Sequence, residues 1–159
     1  MKKSLKIAIY SGDIPSTTFI ERLIVGLSTK PCEIYLFGFI KQKVSYTKSV
    51  SVFAYKNNKL YKALHYLKYS FLLFCFKPKA KRKLDALLQA QAKNVLLAKV
   101  KAYPVLWHQP DVFHVQWAKG LADWVWVQEF GIKRKPSLRG AHINYSPIAD
   151  ETLADMYRE

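Results

Sequence analysis

The stretch LKIAIYSGDIPSTTFIERLIVGLS, residues 5–28, decides the fold. Its first six residues, Leu5 to Tyr10, are apolar apart from Lys6 and lack the alternation of a half-exposed strand, the pattern of a strand covered on both faces. Ser-Gly-Asp ends that run. Thr18 followed by Glu21 has the spacing of a capping box, and Phe19, Ile20, Leu23, Ile24 and Leu27 then recur as one face of a helix. EIYLFGF (residues 33–39) and VSVFAY (50–55) have strand composition again. Strand, helix, strand with short links is the building unit of a parallel sheet.

From Asn57 the period changes. Leu60, Leu64, Leu67, Phe71 and Phe74 fall at three- or four-residue steps, so this segment reads as a helix that Pro78 ends. Residues 79–103 read as a second helix, with Leu84, Leu87, Leu88, Val95, Leu96 and Val100 on its apolar side. DVFHVQW (111–117) reads as a fourth strand, 118–131 as a helix stopped at Gly131, and KPSLRG (135–140) as the place for a fifth strand. A further helix begins near residue 148. The expected class is therefore α/β, a Rossmann-like doubly wound parallel sheet. With 159 residues it forms one domain, 1–159, with a basic helical insertion at about 56–101.

Composition narrows the partners. The net charge is +15, but residues 41–101 hold fifteen Lys and Arg against a single acid, Asp85, and the rest of the chain is nearly balanced. The basic character belongs to one segment. Lysines interleaved with aromatics on amphipathic helices suit an anionic membrane surface, with Lys68, Lys77, Lys79, Lys81, Arg82 and Lys83 as the contacting cations. A nucleic-acid backbone is a disfavoured second reading, since no nucleic-acid motif accompanies the charge, and an ordinary solvated face is the plain one. Cys32 and Cys75 have neither CxxC nor Cys/His spacing, so they read as buried thiols of a reducing cytoplasm. The start of the chain is too short in apolar residues for a signal peptide, and no run approaches a spanning helix. The expected location is cytoplasmic, peripheral on the inner membrane face.

Doubly wound sheets bind ligands at the carboxyl ends of their strands. That edge would carry Ser11-Gly12-Asp13, Gly38, Gln116-Trp117 and Arg139-Gly140. The segment SGDIPSTTF has one glycine and no GxGxxG. It reads most simply as a strand-to-helix turn with Ser16, Thr17 and Thr18 as caps, and alternatively as a loop presenting N–H groups to a phosphate. The segment SLRGAHINYSP (137–147) gathers Arg139, His142, Asn144 and Tyr145 within a few residues. His114 alternates with Phe113 and Val115 and reads as a core histidine or one behind the site. His65 reads as structural and His108 as part of a linker. No nucleophile–base pair and no metal-ligand cluster follows from spacing, and no cofactor is expected.

Four blocks, KIAIYSGDIPSTTFIERLIVGLS, PDVFHVQWAKGLADW, FGIK and above all SLRGAHINYSPIADETLADMYR, resemble the N-terminal half of GT-B glycosyltransferases. The likeness is greatest to the retaining family-four enzymes of cell-surface polysaccharide synthesis. The resemblance implies a single half of a GT-B fold, holding a saccharide or lipid-linked acceptor. A nucleotide-sugar donor would be bound mainly by a C-terminal domain that this chain does not contain, supplied in cis or in trans. It implies that Arg139 is catalytic, a fixed cation opposite the leaving diphosphate. Gly12, Asp13, Ser16, Gln116, Gly140, His142, Asn144 and Tyr145 would bind substrate. Alone, this half is expected to be inactive; the competing expectation is a stand-alone binding module docking through residues 41–101. Charged residues and Pro136 stand where the fifth strand should be buried, so that strand is expected to be short or shifted.

Overall fold

The computed structural model describes residues 4–116 and 120–137. In chain order the elements are β1 (Leu5–Ile14), α1 (Thr18–Ser28), β2 (Cys32–Ile40), β3 (Val50–Lys56), α2 (Lys59–Phe76), α3 (Pro78–Gln91), α4 (Val95–His108), β4 (Val112–Val115), a 3-10 helix (Ala122–Phe130) and β5 (Lys133–Pro136). The five strands among the described residues are all parallel, in the order β3-β2-β1-β4-β5. Helices cover both faces, so the fold is the Rossmann-like doubly wound α/β class.

Alternation along the strands builds two cores. Ile9 of β1 with Ile34 and Leu36 of β2 face α1 and bury Ile20 and Ile24. Ala8, Phe37, Phe113 and Val115 face the other way, against Tyr69, Leu73, Leu84, Leu88, Tyr103, Leu106, Trp124 and Trp126. Buried apolar area of this kind contributes about 1.5–3 kcal/mol per large side chain.

Several boundaries differ from those the sequence suggests, each for a local reason. Thr17 is the N-cap of α1 but makes no side-chain cap bond; Glu21 reaches back instead, its Oε1 accepting the Ser16 N–H at 2.7 Å. Pro78 does not merely end a helix. It occupies the first turn of α3, where a missing N–H costs nothing. The expected long helix over 79–103 is two: the chain breaks at Ala92, and Asn94 restarts it by accepting the Leu97 N–H at 3.0 Å. Pro104 lies within α4. The helix expected over 118–131 is a 3-10 helix in its described part, closed by Gly131 at φ 73°. β5 is short, and lies two residues earlier than KPSLRG. Its Arg134, half-buried, donates from Nη1 to the Leu121 carbonyl at 3.1 Å, while Lys133 and Lys135 stay exposed. Among the described residues β5 is an edge strand, and an edge tolerates these charges and Pro136 because one side of its ladder is unpaired. Cys32 is buried as expected, but Cys75 is exposed.

An imidazole seam joins α2 and α4 to the sheet. His108, the last residue of α4 and not a linker residue, stacks on Phe53 with ring centroids 3.6 Å apart, and its Nε2 lies 3.1 Å from the Tyr69 hydroxyl. His65 packs against Tyr55 and Tyr69. Burial lowers both imidazoles to about pKa 4, with Lys68 adding to each and Lys77 and Lys6 to His108. The unfolded chain therefore takes up protons from pH 6.5 downward that the folded chain refuses until about pH 4. Stability falls across that window as pH drops and is insensitive to these groups above it. Discounted for partial exposure, each ring contributes about 1 kcal/mol. The thermal midpoint should fall between pH 7 and pH 4, and the His65→Phe/His108→Phe double variant should lose most of that slope.

Candidate functional site at the carboxyl edge of the sheet

The chain runs outward from β1 through β2 to β3, then returns to lay β4 and β5 on the other side of β1. The order reverses between β1 and β4, and open sheets leave a crevice at such a point, beyond the carboxyl ends of the strands. The local sequence shapes that edge. β1 and β2 pair regularly as far as Tyr10 and Phe37, and then β1 carries one extra residue, so Gly12 faces Gly38. The extra residue is Ser11, which is buried and donates from Oγ to the Phe37 carbonyl at 3.4 Å. Bulges of this sort re-aim a strand end.

Two glycines permit it. Gly12 sits at φ 74° and Gly38 at φ 155°, and a Cβ on Gly38 would collide with the Gly12 carbonyl oxygen. Beyond them Asp13 is held by Lys41, Nζ to Oδ2 at 2.9 Å. Ser16 donates from Oγ to the Ser11 carbonyl at 3.4 Å, which folds the turn back over the bulge. The β2–β3 connection is anchored to the same turn. Tyr46 donates its hydroxyl to the Glu21 carboxylate, at 3.2 Å from Oε1 and 3.1 Å from Oε2, and burial followed by that carboxylate raises the phenol's pKa.

Gln116 follows β4, one residue past the Tyr10–Val115 pair. Gln116 is 1% exposed; Nε2 lies 2.7 Å from His114 Nδ1, and Oε1 has no partner among the described residues. Burial lowers the pKa of His114, so its ring is neutral at pH 7 and accepts at one nitrogen only. Turning the amide over would make the orphan a donor in place of an acceptor; in either orientation one end is unpaired. An unpaired buried polar group costs about 1–3 kcal/mol, which a ligand hydroxyl would remove.

On the other face of the sheet, a cavity of about 300 Å³ opens beside Tyr10. Leu88, Leu97, Ala102, Trp124 and Trp126 give it apolar walls, and Asn94, Lys101 and Asp123 give it polar ones. Trp124 lies 5.0 Å from the Tyr10 ring and Lys101 Nζ 5.8 Å. Burial raises the Tyr10 phenol's pKa, with Tyr55, Asp123 and Asp13 adding to it, so Tyr10 stays a neutral donor. A wider depression lined by Leu5, Pro110, Val112 and Lys133 lies at the amino ends of the strands, away from this edge.

Of the residues the sequence singled out, Gly12, Asp13, Ser16 and Gln116 do come to the carboxyl edge. Arg139, Gly140, His142, Asn144, Tyr145 and Trp117 lie outside the described residues. Tyr10, Lys101 and Asp123 were missed: Lys101 reads as one more cation of a basic helix, and nothing local marks its proximity to β1. The basic set divides. Lys81 is paired with Asp85, Lys83 with Glu129, and Lys77 donates to the Trp107 carbonyl and Gln109 Oε1. Lys68, Lys79 and Arg82 are exposed and in no ion pair among the described residues. No group of His, Cys, Asp or Glu there could hold a metal ion, and no helix there is long and apolar enough to cross a membrane.

The geometry defines the class, an open parallel α/β sheet with buried polar groups, Ser11 and Gln116, at its switch point. Comparison with known families, with characterised proteins and with solved structures finds no match to this chain.

Proposed function

We propose that the domain is the acceptor-side half of a glycosyltransferase, passing a sugar from a nucleotide-sugar to a saccharide or lipid-linked acceptor together with a donor-binding half in cis or in trans. The observation that supports this most is the unpaired end of Gln116, buried at the switch point beside the Ser11 bulge. A sugar hydroxyl both donates and accepts, so it satisfies that amide in either orientation. Gly12 leaves the backbone there without a Cβ, and Asp13 and Ser16 border it. Arg139 carries the electrostatic role the resemblance implies, stabilising negative charge on the departing diphosphate.

Titration of the full chain with methyl glucoside, followed by amide NMR, tests the site. The glycoside should shift the resonances of residues 11–13 and Gln116, and Gln116→Leu should abolish those shifts. The same substitution removes the orphan amide but leaves His114 Nδ1 unpaired, so stability should change by no more than about 1 kcal/mol. Shifts that persist in Gln116→Leu, or that cluster elsewhere, would remove this edge from acceptor binding.

A further inference from the structure

Helix α2 turns its most apolar side to solvent. Leu60, Leu64, Leu67, Phe71 and Phe74 are between 53% and 67% exposed, while Tyr69 and Leu73 on the opposite side are buried in the core. Steps of four and three residues hold the five in one line about 21 Å long. Soluble monomers rarely leave so continuous an apolar line open. Exposed cations lie on the same helix and on the next. On the wheel, Lys59 and Lys68 flank the line on either side, and Lys79 and Arg82 follow in the first turns of α3. All four are exposed, and none makes an ion pair among the described residues.

The same spacing could seat a second copy of the chain, because alternate steps of four and three form a coiled-coil seam. Charge decides against that occupant. Residues 41–101 carry +14 of the chain's +15, and their one acid, Asp85, is already taken by Lys81 and Lys99. Pairing two α2 helices would therefore bring two uncompensated positive segments together. An anionic surface has the opposite preference.

We propose that α2 docks the domain on an anionic lipid bilayer, lying in the interface plane. Leu60, Leu64, Leu67, Phe71 and Phe74 sink to the acyl boundary, and Lys59, Lys68, Lys79 and Arg82 meet the headgroup phosphates. Lys77, Lys81 and Lys83 are engaged within the fold and are left out of this set. The inference stands independently of the glycosyltransferase reading, since no residue of the carboxyl edge enters it.

Co-sedimentation of the full chain with vesicles of one-third phosphatidylglycerol in phosphatidylcholine tests it. An environment-sensitive maleimide on exposed Cys75, beside Phe74, reports insertion, while Cys32 is buried. Binding should exceed that to pure phosphatidylcholine by about tenfold and weaken with salt. The Leu64→Gln/Leu67→Gln/Phe71→Gln variant replaces exposed residues only, so it should keep its thermal midpoint while losing at least about tenfold in vesicle binding and the blue shift of the label. The proposal is overturned by vesicle binding that this variant retains, or by equal binding to neutral vesicles. It is also overturned by a lipid-free dimer that the variant converts to monomer, or by duplex-DNA binding that the variant abolishes with no lipid binding in either protein.

Discussion

Replacing Gly38 with alanine is expected to lower the thermal midpoint by roughly 10 °C and to disorder the carboxyl edge. Two costs act together. At φ 155° an L-side chain is strained, by about 1–3 kcal/mol. The added methyl must also displace the Gly12 carbonyl, a backbone atom that cannot swing aside as a flexible side chain would, and such overpacking costs about 1–3 kcal/mol more. The displacement would loosen the register in which Gly12 pairs with Gly38, and with it the bulge that places Ser11 and Asp13. Two controls separate the terms. Gly12→Ala has open space and bears only the left-handed strain of φ 74°, so it should cost less. Gly26→Ala, within α1 and also in open space, should stabilise by about 0.5–1 kcal/mol. Thermal unfolding of the three variants ranks them; a Gly38→Ala midpoint no lower than that of Gly12→Ala would mean the two strands part without cost.

The sheet was legible because its strands are nearly continuous apolar runs, and the first helix because its apolar period is regular. A lone glycine in the second strand also hints at close backbone approach, though its partner, Gly12, is identifiable only once register is known. What could not be read was orientation. Helix α2 has hydrophobes on both sides: Tyr66, Tyr69, Leu72 and Leu73 against Leu60, Leu64, Leu67, Phe71 and Phe74. Its more regular stripe is the one left outside, because Tyr69 and Leu73, with Tyr66, His65 and Leu72 beside them, meet the sheet side instead. The break between α3 and α4 contains no glycine or proline, only the capping Asn94, whereas Pro104, which normally ends a helix, lies inside one. At the candidate site, Gln116 stood out as a polar residue after an apolar strand. Its unpaired amide depends on three-dimensional neighbours that no spacing encodes.

Replacing Asp85 with alanine should cost about 3 kcal/mol, because this carboxylate joins α3 to α4. Its Oδ1 accepts from Tyr103 at 2.6 Å and from Lys99 at 3.1 Å, and its Oδ2 accepts from Lys81 at 2.9 Å. All three charged side chains are about one-fifth exposed, so removing the acid leaves two half-desolvated ammonium groups and a buried phenol facing one another. Burial alone would raise the pKa of Asp85, but the hydrogen bonds from Tyr103, Lys81 and Lys99 outweigh it and hold the acid below the usual carboxylate range. Because its folded pKa is depressed, its stabilisation is present above about pH 4 and is lost as pH falls through the folded value. Acid unfolding should therefore proceed in two limbs, the first from His65 and His108 between pH 6.5 and 4, the second from Asp85 below that. Asp85→Asn keeps the shape and one acceptor but cannot titrate, so it should lower the midpoint at pH 7 while flattening only the second limb. Chemical denaturation of both variants across pH distinguishes this from a loss of packing alone, which would lower stability equally at every pH.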